Sequence, residues 1–205
     1  MGGQEPIWNK LYKERLSWKK ETRNLPNLLR GKAVLELGAG NGKTLRAIVK
    51  QNPKSITAID FSEEAINKAK ELFEEDKILF LKGDITSLKF KEEFDVIVCY
   101  YILNNLLEKE RKNAIEQIHN ALKPGGIILL EDFAVGDFRE KEYLRKIEQN
   151  TIEKKNRIIC HFLEKGELVS LFKNFKDMKI STKIFSPLRV DKTKKRKIIK
   201  ALIKK

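Results

Sequence analysis

The sequence predicts an α/β protein built on a doubly wound, mostly parallel sheet. Three observations support this fold class. Short apolar runs alternate with amphipathic segments between residues 32 and 132, and a glycine-rich turn follows the first run. The chain has 205 residues with 41% apolar and 35% charged content, which suits one domain with a substantial core. We therefore expect a single domain over 1–205, with a helical cap over 1–30 and a basic strand over 189–205.

The first two thirds of the chain predict strands and helices in regular alternation. Trp8, Leu11, Tyr12 and Leu16 recur at helical spacing, which predicts an amphipathic helix over 7–20. The apolar runs predict strands over 32–37, 55–60, 78–82, 94–100 and 127–132. Helices are predicted between them, ending near residue 50, over 62–73 with Ser62 as the N-cap, and over 108–122.

The pattern loosens after residue 132. The remaining elements are predicted as a charged helix near 141–149, a helix over 164–172, and strands over 178–185 and 197–203. Because little helix separates the last two strands, we expect them to form an antiparallel pair that closes the sheet edge. The lysines of the final strand either bind a partner or flank an edge strand.

The positive charge is concentrated at the two ends of the chain. The net charge is +14, of which residues 1–32 carry +5 and residues 189–205 carry +8, leaving +1 for the middle. Clustered Lys and Arg indicate a polyanionic partner such as RNA. A surface rich in Lys and Glu is also typical of proteins adapted to high temperature, so this alternative stays open.

Several classes of protein are disfavoured by composition. The apolar runs are too short for a membrane span, and the N-terminal residues lack the apolar core of a signal peptide. Cys99 and Cys160 lie in apolar stretches and predict buried thiols in a reducing, cytoplasmic setting. His119 and His161 are the histidines of the sequence, and no Cys or His pair has ligand spacing, so no metal site is expected.

The glycine turn, VLELGAGNG, places Gly38, Gly40 and Gly42 at the start of the following helix. Glycines there let the backbone approach a nucleotide-like cofactor and present N–H groups to it. A GxxxxGK[ST] phosphate loop would need glycine where Leu37 stands, and a GxGxxG dinucleotide fingerprint would need it where Lys43 stands. The third interpretation is a turn that binds S-adenosylmethionine (SAM).

Two acids downstream of the turn fit the SAM interpretation. Asp60 closes the second predicted strand, where a carboxylate can accept hydrogen bonds from both ribose hydroxyls. Asp84 follows the third strand and can meet the adenine amino group through its side chain or the neighbouring backbone. Either acid alone also fits ordinary turn chemistry, but their order along the chain favours SAM.

Over residues 30–185 the chain resembles the class I SAM-dependent methyltransferases. The matching segments, in the family's order, are VLELGAGNGKT, AIDFSEEAI, LKGDITSL, FDVIVCYYILNNL and LKPGGIILLEDF. The resemblance implies a Rossmann-like seven-stranded sheet with an antiparallel last strand, SAM as the cofactor across the strand ends, and methyl transfer by in-line displacement. The cofactor-binding residues that it implies are Glu36, Gly38, Ala39, Gly40, Asn41, Gly42, Asp60, Phe61, Asp84, Ile85 and Tyr100.

The segment after the fourth strand bears on the acceptor. It lacks the Asn/Asp-Pro-Pro-aromatic tetrad of enzymes that methylate exocyclic base amines, which disfavours an adenine amino acceptor. Tyr100 and Tyr101 could form a wall of the methyl site, and Asn104 could orient the acceptor. Packing on the strand and capping of the next helix are the structural alternatives for these side chains.

The C-terminal half, from EDFAVGDFR through NRIICHFLEKGELVSLF, resembles the tRNA 3-methylcytidine methyltransferases and related archaeal-type methyltransferases. The aromatics of WNKLYKERLSW would then cover the cofactor. One departure is that Glu131 and Asp132 stand where the eukaryotic enzymes have Arg-Asp. The resemblance implies catalytic roles for Asp132, Tyr101 and His161, and substrate binding by Asn104, Asp137 and Arg139. A strand-end turn, a surface ion pair and a half-buried ring are the structural alternatives for Asp132, Arg139 and His161.

The leading hypothesis is a SAM-dependent methyltransferase that acts on RNA, with tRNA as the first candidate and the basic ends as the RNA-binding segments. The first alternative is methylation of a small metabolite. The second is a non-catalytic SAM-binding subunit that serves a partner protein.

Overall fold

The computed structural model describes residues 3–14, 25–73, 77–186 and 193–205. Within them, seven strands form one sheet in the order β3-β2-β1-β4-β5-β10-β9. These strands are β1 (Ala33–Leu37), β2 (Ser55–Asp60), β3 (Ile78–Lys82), β4 (Phe94–Tyr100), β5 (Leu122–Phe133), β9 (Asp177–Phe185) and β10 (Arg196–Lys204). The last strand, β10, is antiparallel to both of its neighbours and the others are mutually parallel, which confirms the predicted α/β architecture.

The helices lie in the order that the apolar spacing predicts. They are α1 (Glu5–Glu14), α2 (Leu45–Val49), α3 (Glu63–Lys70), α4 (Glu108–Ala121) and α5 (Lys165–Leu171). Ser62 caps α3 by accepting a hydrogen bond from the N–H of Ala65. The predicted helix over 7–20 begins at Glu5, and residues 15–20 lie outside the described residues, as do 189–192 of the predicted basic strand.

Alternating side chains of the central strands build a core on each face of the sheet. Leu35 and Ile97 point into a core that α4 and α5 cover, whereas Val34 and Val96 point into a core that α2 covers. This alternation follows from the two-residue period of a strand, and burial on both faces explains the continuous apolar runs. Cys99 and Cys160 are buried, and burial raises the pKa of both thiols.

The structure corrects three predicted elements. Strand β5 begins at Leu122, because the predicted Pro-Gly-Gly turn forms a bulge between the Phe94↔Leu122 and Val96↔Ile127 pairs. Strand β10 lies inside the sheet, between β5 and β9, so β9 forms the edge on that side. The charged helix predicted near 141–149 is wrong, because residues 138–141 form a 3-10 turn and residues 145–148 form a strand that pairs with 151–153.

That charged segment instead opens a second sheet of three antiparallel strands. These are β6 (Arg145–Glu148), β7 (Thr151–Glu153) and β8 (Ile159–His161). Asn150 has φ +55°, the left-handed conformation that a tight hairpin turn favours, so β6 returns directly into β7. This small sheet follows β5 and supplies side chains at the carboxyl edge of the main sheet. No described helix is long and apolar enough to cross a membrane.

The packing of α5 generates a stability prediction. Leu168 is fully buried, whereas its neighbour Val169 is 51% exposed. Leu168→Ala should lower the free energy of unfolding by about 2–5 kcal/mol because it leaves a cavity, and Val169→Ala should change it by less than about 0.5 kcal/mol. Urea unfolding followed by circular dichroism measures both. Equal effects would contradict the assigned faces of α5.

Candidate functional site

The glycine turn joins β1 to α2 and forms one wall of a cavity at the carboxyl edge of the sheet. Gly38 and Gly40 have φ +68° and +54°, a region that other residues rarely adopt. A Cβ built on Gly38 would lie 1.8 Å from Ile102 Cδ1, and one on Gly40 would lie 2.8 Å from the Tyr12 hydroxyl. The turn therefore has room for backbone alone on these sides, and it keeps a narrow cradle open.

Asp60, at the end of β2, fastens this turn. Its Oδ2 accepts a hydrogen bond from the N–H of Gly40 at 2.8 Å, and its Oδ1 accepts one from the N–H of Ser62 at 2.9 Å. Burial raises the pKa of Asp60 to about 6, and the backbone N–H groups of Ser62, Gly40 and Phe61 oppose that rise. A carboxylate offers about four acceptor positions, so the group can accept a further donor from the cavity.

The cavity continues from Asp60 toward the third strand. Phe61 and Ile85 line it there. Asp84 lies outside the wall formed by the described residues, because its Oδ1 caps the following 3-10 turn by accepting bonds of 2.8 Å from the N–H and hydroxyl of Thr86. The structure thus brings Ile85, the residue after Asp84, to the cavity wall.

Helix α1 covers the cavity with aromatic side chains, as the resemblance implies. Trp8, Leu11 and Tyr12 line the cavity, and the rings of Trp8 and Tyr12 stack with centroids 5.9 Å apart. Tyr12 is 8% exposed, and burial followed by the charge of Asp60 raises the pKa of its hydroxyl. The tyrosine therefore stays neutral and packs beside the glycine turn.

Contacts at its start fix α1 to both sides of the opening. Glu5 forms an ion pair of 2.9 Å with Lys82 at the end of β3. Gln4, just before the helix, accepts a hydrogen bond of 3.2 Å from the N–H of Ile159 in β8. The first contact lies on the side of β2 and β3, and the second lies on the small sheet. Helix α1 therefore bridges the two ends of the cavity.

The whole cavity has a volume of about 490 Å³. Of the predicted cofactor-binding residues, the structure brings together at its wall Gly38, Ala39, Gly40, Asn41, Asp60, Phe61, Ile85 and Tyr100. Glu36, Gly42 and Asp84 lie outside the wall that the described residues form. Glu36 is buried at 2% exposure, and its charge contributes to the raised pKa of Tyr12, which lines the cavity.

Tyr101 and Asn104 line the part of the cavity wall that follows β4. Tyr101 has φ +59°, a strained conformation for a tyrosine, and its hydroxyl donates a 2.6 Å hydrogen bond to Oε1 of Glu131. Asn104 is 3% exposed, and its Oδ1 has no hydrogen-bond partner among the described residues. A buried acceptor atom of this kind calls for a donor, which a bound ligand can supply.

Asp132, predicted as catalytic, lies outside the wall that the described residues form. Its side chain is fully buried behind the loop after β4, where Oδ2 accepts the N–H of Asn104 at 3.0 Å and Oδ1 accepts the N–H of Phe133 at 2.8 Å. Asp132 therefore holds the backbone of the wall in this structure, and its predicted catalytic role stays a prediction.

His161 and Asp137 also lie outside that wall. His161 is 1% exposed, with Nδ1 at 2.8 Å from Thr151 Oγ1 and Nε2 at 2.8 Å from Glu167 Oε2. Asp137 accepts the N–H of Arg139 and the N–H of Lys197, so it fixes the loop that carries Arg139. Both side chains are buried and form hydrogen bonds to neighbouring residues of the protein.

Sequence patterns missed residues that the end of β5, the loop between β7 and β8, and the start of β10 bring to the cavity. Phe133, Lys154, Asn156, Ile158 and Arg196 line it beside the predicted Arg139. They come from three segments far apart in the sequence, so no local spacing links all of them. The basic run at the start of β10 was the one signal that pointed to Arg196.

Comparisons with known proteins agree with this geometry. Residues 34–126 match a family model described as a methyltransferase domain. A malonyl-[acyl-carrier protein] O-methyltransferase of Priestia megaterium is 33% identical over 53% of this chain and 39% of its own length. The tRNA N(3)-methylcytidine methyltransferase trm140 of Schizosaccharomyces pombe is 30% identical over 71% of this chain and 52% of its own length. The chain thus spans about half or less of these relatives.

A solved structure shares the whole fold. A SAM-dependent methyltransferase from Methanosarcina mazei aligns with a TM-score of 0.75 and 24% identity, covering 90% of this chain and 99% of that one. The fold and the cavity define a protein with the class I methyltransferase architecture. Residues 34–126 match a methyltransferase domain, and the chain has the fold of a SAM-dependent methyltransferase. The glycine cradle, the Asp60 carboxylate and the aromatic cover of α1 fit SAM as a cofactor.

The raised pKa of Asp60 predicts a pH dependence of SAM binding. Ribose hydroxyls donate to the ionised carboxylate, so SAM affinity should rise between pH 5 and 7 as Asp60 loses its proton near pH 6, and level off above. Below the pKa the loss should approach tenfold per pH unit. Calorimetry with wild type measures this profile.

The matched variant for that titration is Asp60→Asn, which has no carboxyl proton to lose. It should bind SAM roughly 10-fold or more weakly at pH 7, since hydrogen bonds to a charged group contribute about 1.5–3 kcal/mol, and its profile should be flat. A wild-type profile as flat as that of the variant would show that Asp60 does not contact the ribose.

The position of Asp132 predicts a stability defect. Asp132→Ala leaves buried N–H groups without their acceptor and should lower the free energy of unfolding by roughly 1–3 kcal/mol. Asp177→Ala, an exposed acid on β9, is the control and should change it by less than about 0.5 kcal/mol. Thermal unfolding measures both. A variant of wild-type stability that had lost methyl transfer would instead indicate a catalytic Asp132.

Proposed function

We propose that the protein transfers the methyl group of SAM to an acceptor in RNA, with tRNA as the first candidate. The charge of the cavity wall carries the proposal. Of the described residues that line it, Lys43, Arg139, Lys154 and Arg196 are cationic, whereas Asp60 alone is acidic. An excess of positive charge within a cleft favours an anionic substrate, and RNA carries one charge per phosphate.

The share of the chain that aligns with tRNA methyltransferase relatives also supports an RNA acceptor. Two tRNA methyltransferase relatives match 71% and 78% of the chain, and the malonyl-[acyl-carrier protein] relatives match 53–68% of it. The net charge of +14 for the whole chain adds long-range attraction for a polyanion.

The residues of the chain supply position rather than acid or base chemistry. Bound SAM supplies a methyl group that its sulfonium already activates. The glycine turn and Asp60 hold the cofactor, helix α1 excludes water, and Asn104 offers its buried Oδ1 to a donor on the acceptor. Alignment of acceptor and methyl carbon is then the main contribution to the rate.

The second candidate acceptor is a small carboxylic acid. The malonyl-[acyl-carrier protein] relative favours it, because its 33% identity is the higher of the two. The cover that α1 provides also suits an enclosed small substrate. A carboxylate would use the same cationic wall, so the two candidates differ in size of acceptor and in dependence on salt.

The test is transfer of label from SAM to a pool of tRNA transcripts and, in parallel, to small dicarboxylic acids. We expect label in the RNA fraction, sensitive to ribonuclease, and a rate that falls steeply as salt rises. Asp60→Asn should lower labelling at limiting SAM, whereas the charge-matched control Asp177→Asn should not. Label confined to the acids or to protein would contradict the RNA acceptor.

A further inference from the structure

The ring of Phe133 lies at the centre of a group of cations. Among the described side chains, Arg139 Cζ lies 4.4 Å from its centroid, Arg196 Cζ 5.5 Å and Lys154 Nζ 5.7 Å. All of these residues line the cavity. We call Arg139, Lys154 and Arg196 the cation cluster. Arg139 follows β5, Lys154 directly follows β7, and Arg196 begins β10. Only the folded chain therefore brings them together.

Protein carboxylates neutralise little of this charge. Arg139 forms an ion pair with Asp137 at 3.2 Å. Within the part of the chain that the structure describes, neither Lys154 nor Arg196 has an ion pair, and the buried Nε of Arg196 has no hydrogen-bond partner. Burial, and then the charge of Arg196, lowers the pKa of Arg139. The aromatic ring offsets part of the repulsion through cation–π contacts, but a bound anion would offset more.

The cluster lies at the acceptor end of the cavity. Asp60 ends β2 and Phe133 ends β5, and the order β2-β1-β4-β5 separates them by three strand spacings, about 14 Å. The cofactor's ribose belongs at the Asp60 end. The side chains that follow β4, Tyr101 and Asn104, stand between the two ends. An anion on the cation cluster therefore belongs to a molecule that enters beyond the methyl site.

The positive charge continues from the cluster to the surface. Lys195 and Lys197 flank Arg196 at the start of β10, and Asp137 accepts a hydrogen bond from the backbone N–H of Lys197, whereas the charge of Lys194 is paired with Glu142 at 2.6 Å. A single small acid would occupy the cavity end alone. A phosphate backbone extends past the reacting nucleotide and can contact such a continuous basic edge.

We propose that the cation cluster binds a phosphodiester group adjacent to the nucleotide that receives the methyl group. The inference rests on the proposed function, because it needs an RNA acceptor. The guanidinium groups of Arg139 and Arg196 can each donate paired hydrogen bonds to phosphate oxygens, and Lys154 adds a point charge. The cluster would hold the phosphate beside the acceptor nucleotide, and the methyl site would hold the base of that nucleotide.

The binding experiment uses the full chain saturated with S-adenosylhomocysteine and a fluorescent tRNA transcript, followed by anisotropy at several salt concentrations. Lys154→Gln and Arg196→Gln each remove one charge from the cluster. Lys204→Gln removes one exposed charge from the far end of β10 and is the control. Each cluster variant should bind RNA roughly 5- to 20-fold more weakly and lower the salt slope by about one, whereas the control should stay within about twofold of wild type.

Arg196→Lys keeps the charge but loses the guanidinium fork, so it serves if Arg196→Gln does not fold. It should retain the salt slope and lose part of the affinity. RNA affinities equal to that of Lys204→Gln would overturn the proposal. A matching loss of S-adenosylhomocysteine affinity, measured by calorimetry, would overturn it too, because the cluster would then hold the cofactor's own carboxylate.

Competition at constant ionic strength separates phosphate from carboxylate. Inorganic phosphate should displace the transcript from wild type at lower concentration than acetate does, and the reverse order would assign the cluster to a carboxylate. Methyl transfer keeps the two proposals distinct. Cluster-dependent RNA binding without labelling of RNA would refute the proposed function, and the cluster would then bind RNA phosphate with no adjacent methyl acceptor. Labelling of RNA with an unchanged KM for tRNA in the cluster variants would support the proposed function and refute the subsite.

Discussion

The site depends on the buried carboxylate of Asp60 and the backbone N–H groups that it accepts. One oxygen binds the N–H of Gly40 in the turn after β1, and the other binds the N–H of Ser62 before α3. Burial destabilises the charged form of Asp60, and the hydrogen bonds from the backbone N–H groups offset part of this destabilisation. Neighbouring parallel strands end side by side, so one carboxylate can clamp two successive βα turns. The cradle that the glycines keep open is therefore held from β2, not from its own strand.

Helix α1, which covers the cavity, is also held in place by contacts with neighbouring elements. Helix α1 has few apolar partners of its own, and Tyr12 is its one buried side chain among the described residues. Its position comes from polar contacts, including a 2.7 Å hydrogen bond between Ser62 Oγ and Asn9 Oδ1. Ser62 thus caps α3, supports Asp60 and holds the cover. A helix held mainly by polar contacts opens at lower cost than a core helix, which suits an element that covers a cavity.

Local patterns predicted what short-range physics determines. The runs at 55–60, 78–82 and 94–100 became strands with the predicted bounds. Burial on both faces explains the apolar run at 94–100, whereas 78–82 forms an edge strand in which Leu79 is exposed. The glycine turn and Asp60 could be predicted since their spacing is local. The segment 141–149 could not, because its charge pattern fits a helix surface as well as a hairpin and Asn150 decides between them by backbone conformation. The roles of Asp132 and His161 depend on which way a strand end faces, which periodicity does not reveal.

The antiparallel direction of β10 explains how the last segment reaches the cavity. Ile198 pairs with Phe133, so β10 begins at the carboxyl edge where β5 ends. A parallel strand of the same nine residues would begin at the opposite edge, about 30 Å away at 3.3 Å per residue. Arg196 would then lie far from Arg139 and Lys154. The insertion of β10 between β5 and β9 therefore does more than complete the sheet: its direction turns a basic run at the end of the sequence into part of the cavity wall.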